Sequence, residues 1–322
     1  MNNDWRPTAS HETLRRRAAM LARVREFMAA RNILEVETPA LIQRAVTDPQ
    51  LCSAEVELPG VSERLYLHTS PEYAMKRLLA AGSGDIYQLC KVFRGAEHSA
   101  LHNAEFTLLE WYRAATPMHD LIREVDELLR HLLAPLDLAG ATSIRFDLAL
   151  RRFAQVDIAK DSLAVLAARC MAAGLAPPSA QSASRDQLLD FLMAVVVGPQ
   201  LGAAGAEFLT HYPASQAALA RLDSDDPRYA LRFELYWRGI ELANGFEELV
   251  DADQQARRFA EDNATRERLG LRLHEPDRRL LAALRHGLPR CSGVALGFDR
   301  LLMLALGGRE LSAVISFPTD RA

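Results

Sequence analysis

Residues 88–113 read QLCKVFRGAEHSALHNAEFTLLEWYR, and no other stretch narrows the folding options of this chain as much. The segment enters from apolar, β-prone residues (Ile86, Tyr87, Leu89, Val92, Phe93), breaks into a polar loop over 95–104, and becomes β-prone again over 106–112. This predicts two antiparallel strands joined by a long hairpin loop. Arg94 stands at the mouth of the loop, with Glu97, His98, His102 and Asn103 inside it. In the second strand a period of two puts Phe106, Leu108, Glu110 and Tyr112 on one face. A carboxylate on such a half-buried face needs a partner. An arginine stitching the hairpin and a bound ligand both meet that need.

Composition limits what the site can serve. The 322 residues suffice for one large domain or two ordinary ones, and the formal net charge of −4 argues against a broad nucleic-acid-binding face. Lysine occurs only at 76, 91 and 160, so arginine carries nearly all the positive charge. Cys52, Cys90, Cys170 and Cys291 are scattered without a CxxC pair, which suggests neither a disulfide framework nor a zinc knuckle. The N-terminus has no apolar signal core, and the longest apolar run, 188–197, is broken by Asp190 and too short to span a bilayer. The expectation is a reduced, cytoplasmic protein with no membrane partner.

The remaining segments supply three further signals. Residues 11–31 carry apolar positions at spacings of three and four, an amphipathic helix, and ILEVETPAL follows as a strand that Pro39 confines to an edge or an end. In TSPEYAMKRLLAAG (69–82), Ser70 reads as an N-cap, Pro71 as the first helical residue and Gly82 as the stop. Glu72 then lies in the first turn, where the helix dipole by itself is a sufficient reason for a carboxylate. Helices are expected at 117–133 and in alanine-rich segments over 161–205, separated by GLAPPSAQSAS, a flexible surface connection. In FELYWRGIELANGFEELVD (233–251), Asn244-Gly245 predicts a type I′ hairpin that sets Glu241 opposite Glu248. Two facing carboxylates ask for a metal, an ammonium or an arginine, unless they point to solvent or a bulge breaks the register. Polar helices are expected at 251–269 and 277–286. Finally, CSGVALGFDRLLMLALGG (291–308) is a small-residue strand entering a helix. Arg300 in that helix's first turn works against the dipole, which is better explained by an anionic ligand than by stability.

Together these stretches resemble the three signature motifs of class II aminoacyl-tRNA synthetases. The first helix with ILEVETPAL is similar to motif 1, the dimer-forming element, VFRGAEHSALHNAEFTLLEWYR to motif 2, and GVALGFDRLLML to motif 3. Within the class the match is to lysyl-tRNA synthetases, at HNAEFTLLEWY and IELANGFEELVDADQQARRF. Those enzymes carry an N-terminal OB-fold that reads the anticodon, whereas this chain begins at motif 1. A lysyl-synthetase core without that domain resembles the elongation factor P–(R)-β-lysine ligase family. TSPEYAMKRLLAAG, YPASQAALA and CSGVALG are also similar to that family's versions. The resemblance implies an α+β fold, a class II synthetase catalytic domain with a mostly antiparallel six-stranded sheet flanked by helices and no OB-fold. It further implies one domain over 1–322 with a peripheral helical insertion at about 115–205, and a homodimer formed through motif 1.

The implied chemistry is ATP-dependent activation of (R)-β-lysine or lysine, with Mg²⁺, and transfer to a lysine ε-amine of elongation factor P, without anticodon-type recognition of tRNA. A truncated synthetase acylating tRNA and a non-catalytic regulatory paralogue are the alternatives. By the same resemblance Arg94 and Arg300 are catalytic, contacting the α- and γ-phosphates. Gly95, Ala96, Glu97, His102, Asn103, Glu241, Leu242 and Gly297 complete the ATP site. Ser70, Glu72, Tyr112, Glu248 and Ala295 line the substrate pocket, and Glu241 and Glu248 are the metal ligands. Two departures stand out. Synthetases usually read Arg-Asn-Glu at the motif 2 turn, where this chain has Arg94-Gly95-Ala96-Glu97. Lysyl-tRNA synthetases have a glycine where this chain has Ala295, and one methyl in a close-packed pocket shifts specificity by roughly 1–3 kcal/mol. Ala295 is therefore expected to favour the β-amino acid.

Overall fold

The computed structural model describes residues 5–95 and 99–322, so Ala96, Glu97 and His98 lie outside the described residues. The chain divides into two compact units, one of residues 1–117, 131–136 and 248–322, the other of 118–130 and 137–247.

The first unit begins with α1 (His11–Ala29), whose start is fixed by Ser10: its hydroxyl accepts the Thr13 N–H at 3.1 Å, and Met20, Val24, Phe27 and Met28 form the buried stripe. Four short strands follow, β1 (Leu34–Glu35), β2 (Leu41–Ile42), β3 (Glu55–Val56) and β4 (Leu65–Leu67). Helix α2 (Glu72–Ala80) starts one residue later than its sequence suggests. Pro71 is the N-cap, and the Ser70 hydroxyl accepts the Glu72 N–H at 3.3 Å. The expected hairpin is present as β5 (Ile86–Phe93) and β6 (Glu105–Ala114), paired antiparallel with Gln88 opposite Glu110.

The second unit holds all but the last two residues of α3 (Met118–Leu132), then β7 (Thr142–Arg145) and helices α4 (Phe146–Ala149), α5 (Leu163–Ala172), α6 (Pro177–Ser182) and α7 (Arg185–Leu192). The supposed flexible connection around 174–184 thus contains a helix, because Pro177 is tolerated in a first turn and Ser184 caps the next helix with Gln187 in a capping box. These helices bury a core of their own, which includes Phe146, Leu150, Leu166, Leu188, Leu192 and Tyr212. Strands β8 (Glu207–Pro213), β9 (Tyr229–Trp237) and β10 (Ile240–Glu247) follow, with sheet order β10-β9-β8-β7.

Here one expectation is corrected. Asn244-Gly245 is not a turn; β10 runs straight through it, with Asn244 opposite Glu234 and Gly245 opposite Phe233. The hairpin turns at Arg238-Gly239, which both have positive φ (52° and 74°), the backbone a two-residue type I′ turn requires. A bulge at Leu242 then shifts the register. Glu241 lies opposite Tyr236, so the facing Glu241–Glu248 pair does not exist.

The chain returns to the first unit with α8 (Ala252–Arg268), α9 (Arg278–Gly287), β11 (Cys291–Gly297) and α10 (Phe298–Ala305). Strand order in this unit is β1-β5-β6-β11, with β2-β4-β3 as a smaller sheet. The fold is α+β, as expected, but the strand number is larger than six: each unit contributes four strands to its sheet, and the first adds the three short ones. Within the first unit β1 pairs parallel with β5, and within the second β7 pairs parallel with β8.

Candidate active site

The first unit places motif 2 beside motif 3. Strand β11 pairs antiparallel with β6, Ala295 opposite Glu110 and Gly293 opposite Tyr112. Directly opposite residues share a face, so Glu110, Tyr112 and the Ala295 methyl all look to the same side. Gly293 is required by close approach: a Cβ there would lie 2.3 Å from Tyr112 Cε1 and 2.6 Å from Glu248 Oε1. Glu248 is pinned by its own N–H, which donates to the Cys291 carbonyl at 2.9 Å.

Helix α2 brings Glu72 and Lys76 to these residues. They are one turn apart, and the Lys76 Nζ lies 2.6 Å from Glu72 Oε1 and 2.6 Å from Glu248 Oε2. The Lys76 side chain is 2% exposed and that of Glu248 1%. The Tyr112 hydroxyl donates to Glu110 Oε1 at 2.7 Å, while Glu110 Oε2 is buried with no hydrogen-bond partner among the described residues. Burial favours neutral Lys76, but the Glu248 and Glu72 carboxylates outweigh it and hold the ammonium above its ordinary range. Burial, then the Glu72 charge, pushes Glu110 up to about 8. Glu248 is also pushed up to about 8, by burial against the pull of Lys76. Three carboxylates around one ammonium make a buried site that is short of positive charge.

Sequence reasoning found Glu72, Tyr112 and Glu248 but missed Glu110 and Lys76 as members of the cluster. Glu110 carried a signal, a carboxylate on the apolar face of a strand. Lys76 did not, because a lysine one turn after a glutamate reads as a surface pair. Glu248, expected also as a metal ligand, has its Oε2 on the Lys76 ammonium. Among the described residues no group of three or more His, Cys, Asp or Glu is arranged to hold a metal ion.

Further along the strands lie the arginines. Arg94 stacks over the Phe106 ring, 5.1 Å from its centroid, and its Nε is buried without a hydrogen-bond partner among the described residues. A desolvated guanidinium N–H of that kind suits an anion. Arg300 donates from Nε to the Leu101 carbonyl at 3.2 Å and from Nη2 to His102 Nε2 at 2.7 Å. Arginine only donates, so His102 accepts at Nε2 and carries its proton on Nδ1, which faces Ser99 Oγ at 2.7 Å. Asp299, 2% exposed, fixes the start of α10: it accepts from Arg17 Nη1 at 2.5 Å and from the Thr107 N–H at 2.7 Å. Asn103 is largely committed elsewhere, with Nδ2 donating to the Glu105 carbonyl and Oδ1 accepting from Thr319 N–H and Oγ1. Gly95 is small because of Cys52: a Cβ would sit 3.0 Å from its Sγ, and the Gly95 N–H donates to the Cys52 carbonyl. Gly297 is the N-cap of α10. Glu241 and Leu242 belong to β10 of the second unit, Leu242 buried at the bulge. Ala96 and Glu97 fall outside the described residues.

A domain in which a motif 2 hairpin pairs with a motif 3 strand, with one arginine just past β5 and another in the first turn of α10, is that of a class II synthetase. The family profile described as tRNA synthetases class II (D, K and N) matches residues 3–321, and the chain belongs to this family. Its similar relatives are narrower in kind. The chain is 47% identical to the elongation factor P--(R)-beta-lysine ligase of Avibacterium paragallinarum, with 99% of each chain covered. It is 47% identical to the proteins of the same name from Photorhabdus laumondii and Proteus mirabilis, covering 99% of this chain and 98% of each of theirs.

Proposed function

We propose that the chain activates (R)-β-lysine with ATP and transfers it to a lysine ε-amine of elongation factor P. The observation that carries this reading is the buried acid cluster beneath the motif 2 and motif 3 strands. A diamino acid brings two ammonium groups, and each must meet a carboxylate when it leaves water. Glu72 and Glu248 take the two amines, with the Tyr112 oxygen beside them, Ser70 at the start of α2 and the Ala295 methyl on the floor. The substrate carboxylate oxygen attacks the α-phosphorus, the bond to the β-phosphate oxygen breaks, and pyrophosphate leaves. Arg94 neutralises charge at the α-phosphate and Arg300 holds the γ-phosphate, with His102, Asn103, Gly297 and the loop at Gly95 around the nucleotide. The acceptor amine then attacks the carbonyl carbon of the mixed anhydride, loses a proton, and AMP departs.

Mg²⁺ suits such a site as a companion of the ATP phosphates, needing one or two protein carboxylates and keeping its waters. Glu241 is the carboxylate assigned to it, and Leu242 its neighbour on the nucleotide. The protein acts in the cytoplasm as a homodimer through α1 and the strand after it. Among the described residues no helix is long and apolar enough to cross a membrane.

The test is the intact mass of elongation factor P after incubation with this protein, ATP and (R)-β-lysine, with tRNA as parallel acceptor. A gain of one lysyl unit on the factor and no charged tRNA is expected. Charged tRNA with an unmodified factor would make this a minimal synthetase instead.

Two further outcomes are expected. Arg94→Met should lower ATP–pyrophosphate exchange by roughly 100- to 1000-fold, the scale of losing one preorganised charge-stabilising donor, with an unchanged melting curve. Binding an ammonium favours ionised carboxylates, and Glu110 holds its proton up to about 8 rather than the ordinary 4.5. The KM for lysine should therefore fall as pH rises toward that value, while substrate-free stability declines over the same window, since the protonated acid is the form the fold favours. A KM flat with pH would mean that the acids are already ionised in the empty pocket.

A further inference from the structure

The pocket contains one charged group that the activation chemistry does not use. Lys76 is buried in α2 with its Nζ 2.6 Å from each of two carboxylates, Glu72 and Glu248, and a third carboxylate, Glu110, is within electrostatic reach. In a chain that relies on arginine for nearly all its cations, the pocket's cation is a lysine. A compact point charge fits between two carboxylates from different segments, where a planar guanidinium fork would need more room. With all three acids ionised, the cluster holds three negative charges against one positive. The remainder equals the two ammonium groups of a diamino acid, and a monoamine would leave one buried carboxylate unmatched.

We propose that Lys76 is a positioning and specificity residue, a resident ammonium that ties Glu72 and Glu248 together and sets the pocket's unmet charge at that of two substrate amines. This rests on reading the pocket as the diamino-acid subsite. Lys76 acts through the two carboxylates, so its loss shows in amino-acid binding and not in the handling of ATP. Removing it unties Glu72 from Glu248, so that they no longer stand preplaced for the two amines, and leaves a third acid unmatched. Removing Glu110 along with it restores the count and keeps Glu72 and Glu248 for the substrate.

The experiment is ATP–pyrophosphate exchange driven by (R)-β-lysine, lysine or norleucine, the last lacking the terminal ammonium. Lys76→Met is expected to raise the KM for the diamino acids at least about tenfold, with kcat and the KM for ATP within about threefold, the pattern of weakened binding rather than impaired chemistry. The double variant Lys76→Met/Glu110→Gln is expected to fold and to bring that KM back to within about threefold of wild type, even if the single variant proves too unstable to assay. A wild-type enzyme as responsive to norleucine as to lysine would overturn the pocket reading itself. A selective wild type would overturn the role of Lys76 alone in either of two cases: an unchanged KM in Lys76→Met, or a double variant that does not fold or binds no better than the single one.

Discussion

Glu248→Gln is expected to cut lysine-dependent ATP–pyrophosphate exchange by roughly 100- to 5000-fold in kcat/KM, about 3–5 kcal/mol, the scale of breaking a buried ion pair. The amide matches the carboxylate in shape but carries no charge. Lys76 keeps Glu72 at 2.6 Å, so α2 retains its anchor, while the substrate's ammonium loses its partner. The loss should fall on the KM for the amino acid and leave the KM for ATP within a few-fold. Exchange at the wild-type rate would remove Glu248 from the substrate pocket.

The second large effect is expected at a residue without a side chain. Gly293→Ala would place a methyl 2.3 and 2.5 Å from Tyr112 Cε1 and Cδ1 and 2.6 Å from Glu248 Oε1. Neither neighbour is free to move away. Tyr112 is 2% exposed, its hydroxyl donates to Glu110, and Glu248 is held by Lys76. Accommodating the methyl must shift the ring or part the strands, at a cost of about 1–3 kcal/mol in stability. Because both displaced groups line the proposed amine pocket, the KM for lysine should rise by roughly 100-fold or more, the scale expected when a buried ammonium is deprived of its carboxylate. A chemical denaturation curve and lysine-dependent exchange measure the two effects, and nucleotide binding in the absence of lysine should persist. A variant that exchanges normally would show that β6 and β11 pack less tightly than their register implies.

How far each of these residues could be read from the sequence depends on how local its cause is. The hairpin around Arg94 was legible because alternation and a polar loop are properties of neighbouring residues. Its boundaries moved only slightly, to Ile86–Phe93 and Glu105–Ala114. The first turn of α10 was legible for the same reason, since a cation at the wrong end of a helix is a local anomaly. Asn244-Gly245 misled because its turn propensity is a weak preference that β-pairing overrode. The Arg238-Gly239 turn took its place because the strands before and after it pair in that register. Glu97, the carboxylate of the motif 2 turn, lies outside the described residues.

The sequence by itself determined the kind of elements present, the order of the three motifs and the arginines that two of them carry. The elements follow from side-chain periodicity and turn chemistry, which act over a few residues, and the motifs and their arginines from the resemblance to class II synthetases. Only the tertiary structure decided that Glu72, Glu110 and Glu248 converge on Lys76, and that Gly293 is the space the pocket needs. Their meeting depends on the β6–β11 register and on the approach of α2 to residue 248. The desolvation that gives the cluster its chemistry exists only once these distant segments have closed over it.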